Sequence, residues 1–145
     1  MKKSITILLF CAFILGATEA VSAQESYAGA LNVFASFGNK SAVNANYEFA
    51  LGKNLTISPE ATIPFDFDYM FAGARVDYYF DSLLELNEPW DIWAGGGAGF
   101  MIGKNDIVDG INLNFHVGGE YKFNQKWGVI LEGGNVFSLG VGIHL

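Results

Sequence analysis

Cysteine is almost missing from this chain: its single copy, Cys11, cannot form a disulfide within the molecule. Basic residues are few, one Arg and seven Lys against 15 acidic residues, and the formal net charge is −7. No basic stripe can form from so few cations, which excludes nucleic-acid binding of the usual electrostatic kind. Charged residues make up only 16%, against ~25% in soluble domains. Long apolar runs are absent as well: beyond the N-terminal segment nothing approaches the ~20 residues of a membrane-spanning helix. With 145 residues there is room for one modest domain and none for a multidomain enzyme. What the chain does have is 51% apolar residues, 15% aromatics and 18 glycines. A chain this apolar buries enough surface to order itself, so disorder is excluded too.

The first residues are read as an address. Met1, Lys2 and Lys3 are a positive start, Ile5 to Leu15 an apolar run, and Val21-Ser22-Ala23 a small-residue cleavage signal. A cleaved signal peptide over 1–23 is expected, with residues 24–145 as one exported domain. Phe10 before Cys11 disfavours lipidation. Without disulfides, that domain must be held by its own hydrogen bonds and packing.

The rest alternates with period two. In Ile111 to Phe123, one face carries Ile111, Leu113, Phe115, Val117, Gly119, Tyr121 and Phe123, and the other Asn112, Asn114, His116, Gly118, Glu120 and Lys122. Successive strand side chains point to opposite faces, so the segment has one apolar and one polar side. The same reading predicts strands at 26–37, 41–51, 55–65, 69–80, 90–103, 127–133 and 136–145, with turns at 104–110 and elsewhere. Parallel pairs need crossovers for which there is no room. The fold class is therefore all-β, an eight-stranded antiparallel up-and-down barrel. Pro59 falls inside the third strand, where it removes a ladder bond, so a bulge or an early strand end is expected there, with Pro64 near the outer end. The connection Asp81 to Pro89 is the longest and contains Leu83, Leu84 and Leu86; a short helical turn or a partner contact would suit it.

Two barrels fit the alternation: apolar face inward in water, as in a lipocalin-like periplasmic binder, or outward in lipid. Lipid is favoured because Tyr27, Phe49, Tyr78, Phe80, Trp90, Tyr121, Phe123 and Trp127 fall at strand ends sharing one rim, as an interfacial aromatic girdle would. The polar face is rich in Gly, Asn and Ser, suited to a narrow interior. A transmembrane β-barrel is the resulting expectation.

The last ten residues, with Phe137, Leu139, Val141, Ile143 and Leu145 on one face, resemble the C-terminal signal read by the outer-membrane barrel assembly machinery, with Leu145 where Phe is more usual. The hairpin Tyr47 to Glu60 resembles those of small OmpA/OmpX/OmpW-like outer-membrane barrels. Ala74 to Phe80 is similar in style to strands of barrel proteins common in Bacteroidota. The resemblance implies a bacterial outer-membrane location with both termini periplasmic. It also implies contact with outer-membrane lipid and lipopolysaccharide, and biogenesis through periplasmic chaperones and the assembly machinery.

Inside such a barrel, parity places Glu48, Glu60, Arg75, Asp77, His116, Glu120, Lys122 and Glu132 together as one ionic cluster, because isolated buried charge is costly. Segments 45–60 and 117–132 echo each other at an offset of 72, pairing Glu48 with Glu120 and Glu60 with Glu132. Inward Gly95, Gly97 and Gly99 are expected to make room for Arg75, Tyr79, Trp93 or Met101. The functional expectation is a structural or interaction protein with a closed polar interior. It needs no cofactor or metal and is not an enzyme. An OmpW-like channel for small solutes is the main alternative. A lipid A-modifying enzyme using His116, His144 and Ser138 stays open, as does divalent-cation binding by loop residues Asp66, Asp68, Asp106 and Asp109.

Overall fold

The computed structural model describes residues 29–103 and 107–145. The signal-peptide expectation, Cys11, Tyr27, Asp106 and the side chain of Asp109 lie outside what is described. Strand β1 is Ala30–Phe37, β2 Ala42–Tyr47, β3 Phe49–Ala50, β4 Leu55–Pro64 and β5 Tyr69–Tyr79. A four-residue helix α1, Asp81–Leu84, follows. Then come β6 Trp90–Gly103, β7 Ile107–Lys122, β8 Trp127–Gly134 and β9 Phe137–His144.

Every pairing is antiparallel, and the sheet closes because β9 pairs β1 from Ala30↔His144 to Phe37↔Phe137 while β2 pairs both β1 and β4. β2 and β3 are two pieces of one barrel strand parted at Glu48, so nine pieces make an eight-stranded barrel. Proline explains the parting. Register runs unchanged from Asn46↔Glu60 to Phe49↔Ile57, which puts Tyr47 opposite Pro59. Glu48 turns its backbone N–H and C=O to β1, bonding Ala30 and Gly29, so Tyr47 turns its own to β4. There Pro59 has no N–H to give. The expected bulge or early end in β4 does not occur; β4 runs through Pro59, and the ladder on the neighbouring strand is what breaks.

Two other boundaries move. Four of the seven residues of the expected turn at 104–110 are strand, since β7 begins at Ile107, and its ladder with β6 shifts register between Phe100 and Ile102. The connection after β5 folds as α1 and is tied to β6 by the Asp81 carboxylate, which accepts the Ile92 N–H at 2.7 Å.

The polarity of the wall is inverted relative to a barrel with an apolar core. On β7, Ile111, Leu113, Phe115 and Val117 are 61–68% exposed, whereas His116 and Glu120 are 9% and 3% exposed. The interior still departs from a uniformly polar core: Phe34, Tyr79, Trp93 and Ile130 form a buried cluster inside it. Nor is it closed throughout, as a cavity of about 340 Å³ occupies the end opposite the termini.

Candidate functional site

The inward charges do not form one hydrogen-bonded cluster; they divide into five groups spread along the barrel. The central group is built on Arg75. Its Nε donates to Asp77 Oδ2 at 2.7 Å and its Nη2 to Asp77 Oδ1 at 3.1 Å. Its Nη1 and Nη2 donate to Glu132 at 3.1 and 2.6 Å. One planar guanidinium thus grips two carboxylates in two forks, the geometry in which Arg is strongest. Trp93 Nε1 donates to Glu132 at 3.1 Å, and His116 Nε2 lies 2.5 Å from Asp77 Oδ1. This assembly crosses the lumen as a floor.

Beneath it, Glu48 accepts from Asn32 at 2.6 Å and from the Tyr79 hydroxyl at 2.8 Å. Glu120 pairs with His144 at 2.8 Å, and Lys122 with Asp91 at 3.0 Å and Glu88 at 3.5 Å. Above the floor, Glu60 accepts one bond from Asn114 at 3.1 Å. Asn32, Tyr79, Trp93, Asp91 and Asn114 were not among the expected charge-carrying residues. Their signal was in the sequence nonetheless, since all occupy inward parity positions.

The glycines fit this packing, though with other neighbours than expected. A Cβ on Gly95 would strike Asp77 and His116. One on Gly97 would lie 2.8 Å from both Glu60 and Asn114, and one on Gly99 2.6 Å from the Phe71 ring. Trp93 instead lies over Gly118, 2.6 Å from where a Cβ would be, and Glu120 lies over Gly128 and Gly142.

The three residues considered for lipid chemistry do not converge. His116 is bound to Asp77, Ser138 shares a 2.8 Å hydrogen bond with Ser36, and His144 is engaged by Glu120 near the termini. No described Ser–His hydrogen bond would activate a nucleophile. At the far rim, Lys40 pairs with Asp66 at 2.5 Å and Asp68 at 3.1 Å, and stands 5.3 Å from the Tyr69 ring centre. Bonds from Lys40 and the Asp68 backbone hold the Asp66 carboxyl below its ordinary range, and the bonds to the Asp66 and Asp68 side chains raise Lys40. These loop aspartates are therefore occupied by a lysine, and among the described residues no group of three metal-ligating side chains forms.

Around the rim that holds Gly29 and Leu145, Trp90 meets Tyr121 at 4.9 Å, Tyr78 meets Phe80 at 5.0 Å and Tyr121 meets Phe123 at 6.2 Å. Phe49 meets Tyr47 at 4.9 Å, adding a ring to the expected girdle, and Trp127 is exposed there too. Aromatics are not confined to that rim: Phe37, Phe65, Phe67, Phe100 and Phe137 stand exposed toward the other end. On β9, Phe137, Leu139 and Val141 are exposed and Ile143 half-buried, and Leu145 just after the strand is exposed too.

No family model matches the chain, and no curated protein matches it. One solved structure is similar, from work described as "De novo design of transmembrane beta-barrels", with a TM-score of 0.60 at 15% identity, covering 83% of this chain and 98% of that one. At that identity the likeness concerns the fold: a closed, all-antiparallel barrel of eight strands, of the kind built to cross membranes.

Proposed function

We propose that the chain is an integral outer-membrane β-barrel, with both termini periplasmic, whose role is structural or interactive rather than catalytic or conductive. The observation that carries this reading is the pairing of an apolar outer wall with a lumen crossed by the Arg75–Asp77–Glu132–His116 floor. An outer band of Ile, Leu, Phe and Val has no aqueous partner of comparable area on a single domain. Strands such as β5, 11 residues long, tilted by about 40°, reach about 25–30 Å along the barrel axis, enough for the apolar band of an outer-membrane barrel. Eight strands enclose only enough width for side chains, and the floor and the rings below it use that width. The assembly machinery would read Phe137 to Leu145, and lipopolysaccharide would surround the outer end.

Fractionation and conductance test the two halves of the proposal. Expected results are recovery in the outer membrane, heat-modifiable gel migration, and no steady current from the purified protein in a planar bilayer. A soluble periplasmic pool would replace the membrane reading with a lipocalin-like binder. Steady ohmic conductance would replace the closed floor with an OmpW-like channel.

A further inference from the structure

The cavity above the floor has a chemical bias that a structural role does not require. Glu60 on β4 uses one carboxylate oxygen, Oε1, to accept the Asn114 amide, and among the described residues its Oε2 has no hydrogen-bond donor. Asn114 spends an amide N–H on that bond, and its Oδ1 is buried without a partner. Two adjacent groups therefore leave an acceptor oxygen each without a donor, Glu60 Oε2 and Asn114 Oδ1, beside the one remaining Asn114 amide N–H. The cations nearby are already committed: Arg75 to Asp77 and Glu132, and Lys40 to Asp66 and Asp68 at the mouth. The enclosed charge, Asp77, Glu132 and Glu60 against Arg75, is negative.

We propose that this cup binds a small organic cation, an ammonium group on a short apolar body, held by Glu60, whose carboxylate Asn114 fixes in place. An ammonium brings three donors and no acceptor, which matches the unpaired Glu60 oxygen and neutralises its charge. An anion would face Glu60 and Glu132 unaided, and a neutral polyol would leave the carboxylate charge uncompensated. The apolar body would rest against Phe71 and Tyr69, which line the same cavity. Gly97 makes room for the Glu60–Asn114 pair, since a side chain there would sit 2.8 Å from both groups.

The test uses the full mature chain in detergent micelles and an amine-free phosphate buffer, titrated with 1,4-diaminobutane and, separately, with 1,4-butanediol. The amide signals of Gly97 and of the Asn114 side chain are followed by NMR. The expected result is a saturable shift with the diamine, none with the diol, and an affinity at least about ten-fold weaker in Glu60→Gln. Heat-modifiable migration verifies that the variant folds; if it does not, Asn114→Ala takes its place with the same expectation. Absence of a saturable shift, equal response to the diol, or unchanged affinity in the folded variant would each overturn the proposal. Because binding is read in micelles, its failure is independent of where the protein resides and of whether it conducts.

Discussion

Below Arg75 the inward positions carry Tyr79, Trp93 and Ile130 beside the pairs Glu120–His144 and Lys122–Asp91; above it they are mostly small, Ser36, Ala42, Asn44, Thr62, Asn112 and Asn114, with Tyr69, Phe71 and Met101 on the β5–β6 wall. The strands and their parity are the same in both halves, so the barrel diameter is the same. Side-chain volume alone makes one half solid and leaves a 340 Å³ cavity in the other. Strand number sets the width of a barrel, and residue size decides whether that width is filled. The floor separates the two regimes because a doubly forked guanidinium spans the lumen without needing bulk.

The largest effect should come from breaking that boundary. Arg75→Met keeps most of the volume and removes the cation, leaving Asp77 buried with His116 and Glu132 with Trp93 as remaining partners. Removing one partner of a buried pair costs about 3–5 kcal/mol, because the remaining charge is uncompensated. The urea midpoint of refolded protein in vesicles, followed by tryptophan fluorescence, measures it. Adding Asp77→Asn and Glu132→Gln to the same chain should recover much of the loss. A single variant as stable as the parent would mean that the carboxylates are already solvated and the floor is not dry.

A smaller effect distinguishes solid from hollow directly. Gly118→Ala places a methyl 2.6 Å from the Trp93 ring, which is 3% exposed and has nowhere to go. Overpacking of this kind costs about 1–3 kcal/mol. The same change at Gly110, beyond the floor on the same strand, meets nothing within 4 Å and should alter stability by less than about 0.5 kcal/mol. Equal midpoints for the two variants would erase the contrast between the halves.

Legibility in the sequence followed the same division. Inward or outward placement needs only the period of two, and it held from β1 to β9, which is why the barrel and its inverted polarity were readable. Partnership across the lumen needs relative strand heights, and these depend on register around the whole barrel. Lys122 meeting Asp91, or Glu120 meeting His144, could not be read without that stagger, and eight charges of like parity therefore looked like one cluster. Pro59 was legible as a defect, but its effect appeared on the partner strand, where Tyr47 loses a donor. The cup was invisible for a different reason: a cavity is the difference between two volumes, and the sequence carries only one of them.

The weakest expected effect lies at the outer rim, where the Lys40 clasp is exposed and the floor below it is buried. Lys40 and Asp66 keep 44% and 39% of their side-chain surface exposed, against 6% for Arg75 and 3% for Asp77. Asp66 ionises below its ordinary value near 3.8, so its contribution is complete above that value and is lost as pH falls through the lowered one. Lys40 is raised, so its contribution persists to alkaline pH and disappears only beyond its ordinary range. Between about pH 5 and 9 the clasp should therefore be constant. Salt is the sharper probe, since the screening length is about 8 Å at physiological ionic strength and exposed pairs feel it most. The Tyr69 ring shifts the Lys40 methylene resonances while the clasp holds. That ring-current shift should shrink as the pH falls through the lowered Asp66 value and in molar salt, while the Trp93 resonances around the floor stay fixed. If both sets move together, the floor is as open to water as the rim, and the division of the barrel into a solid and a hollow half fails at its boundary.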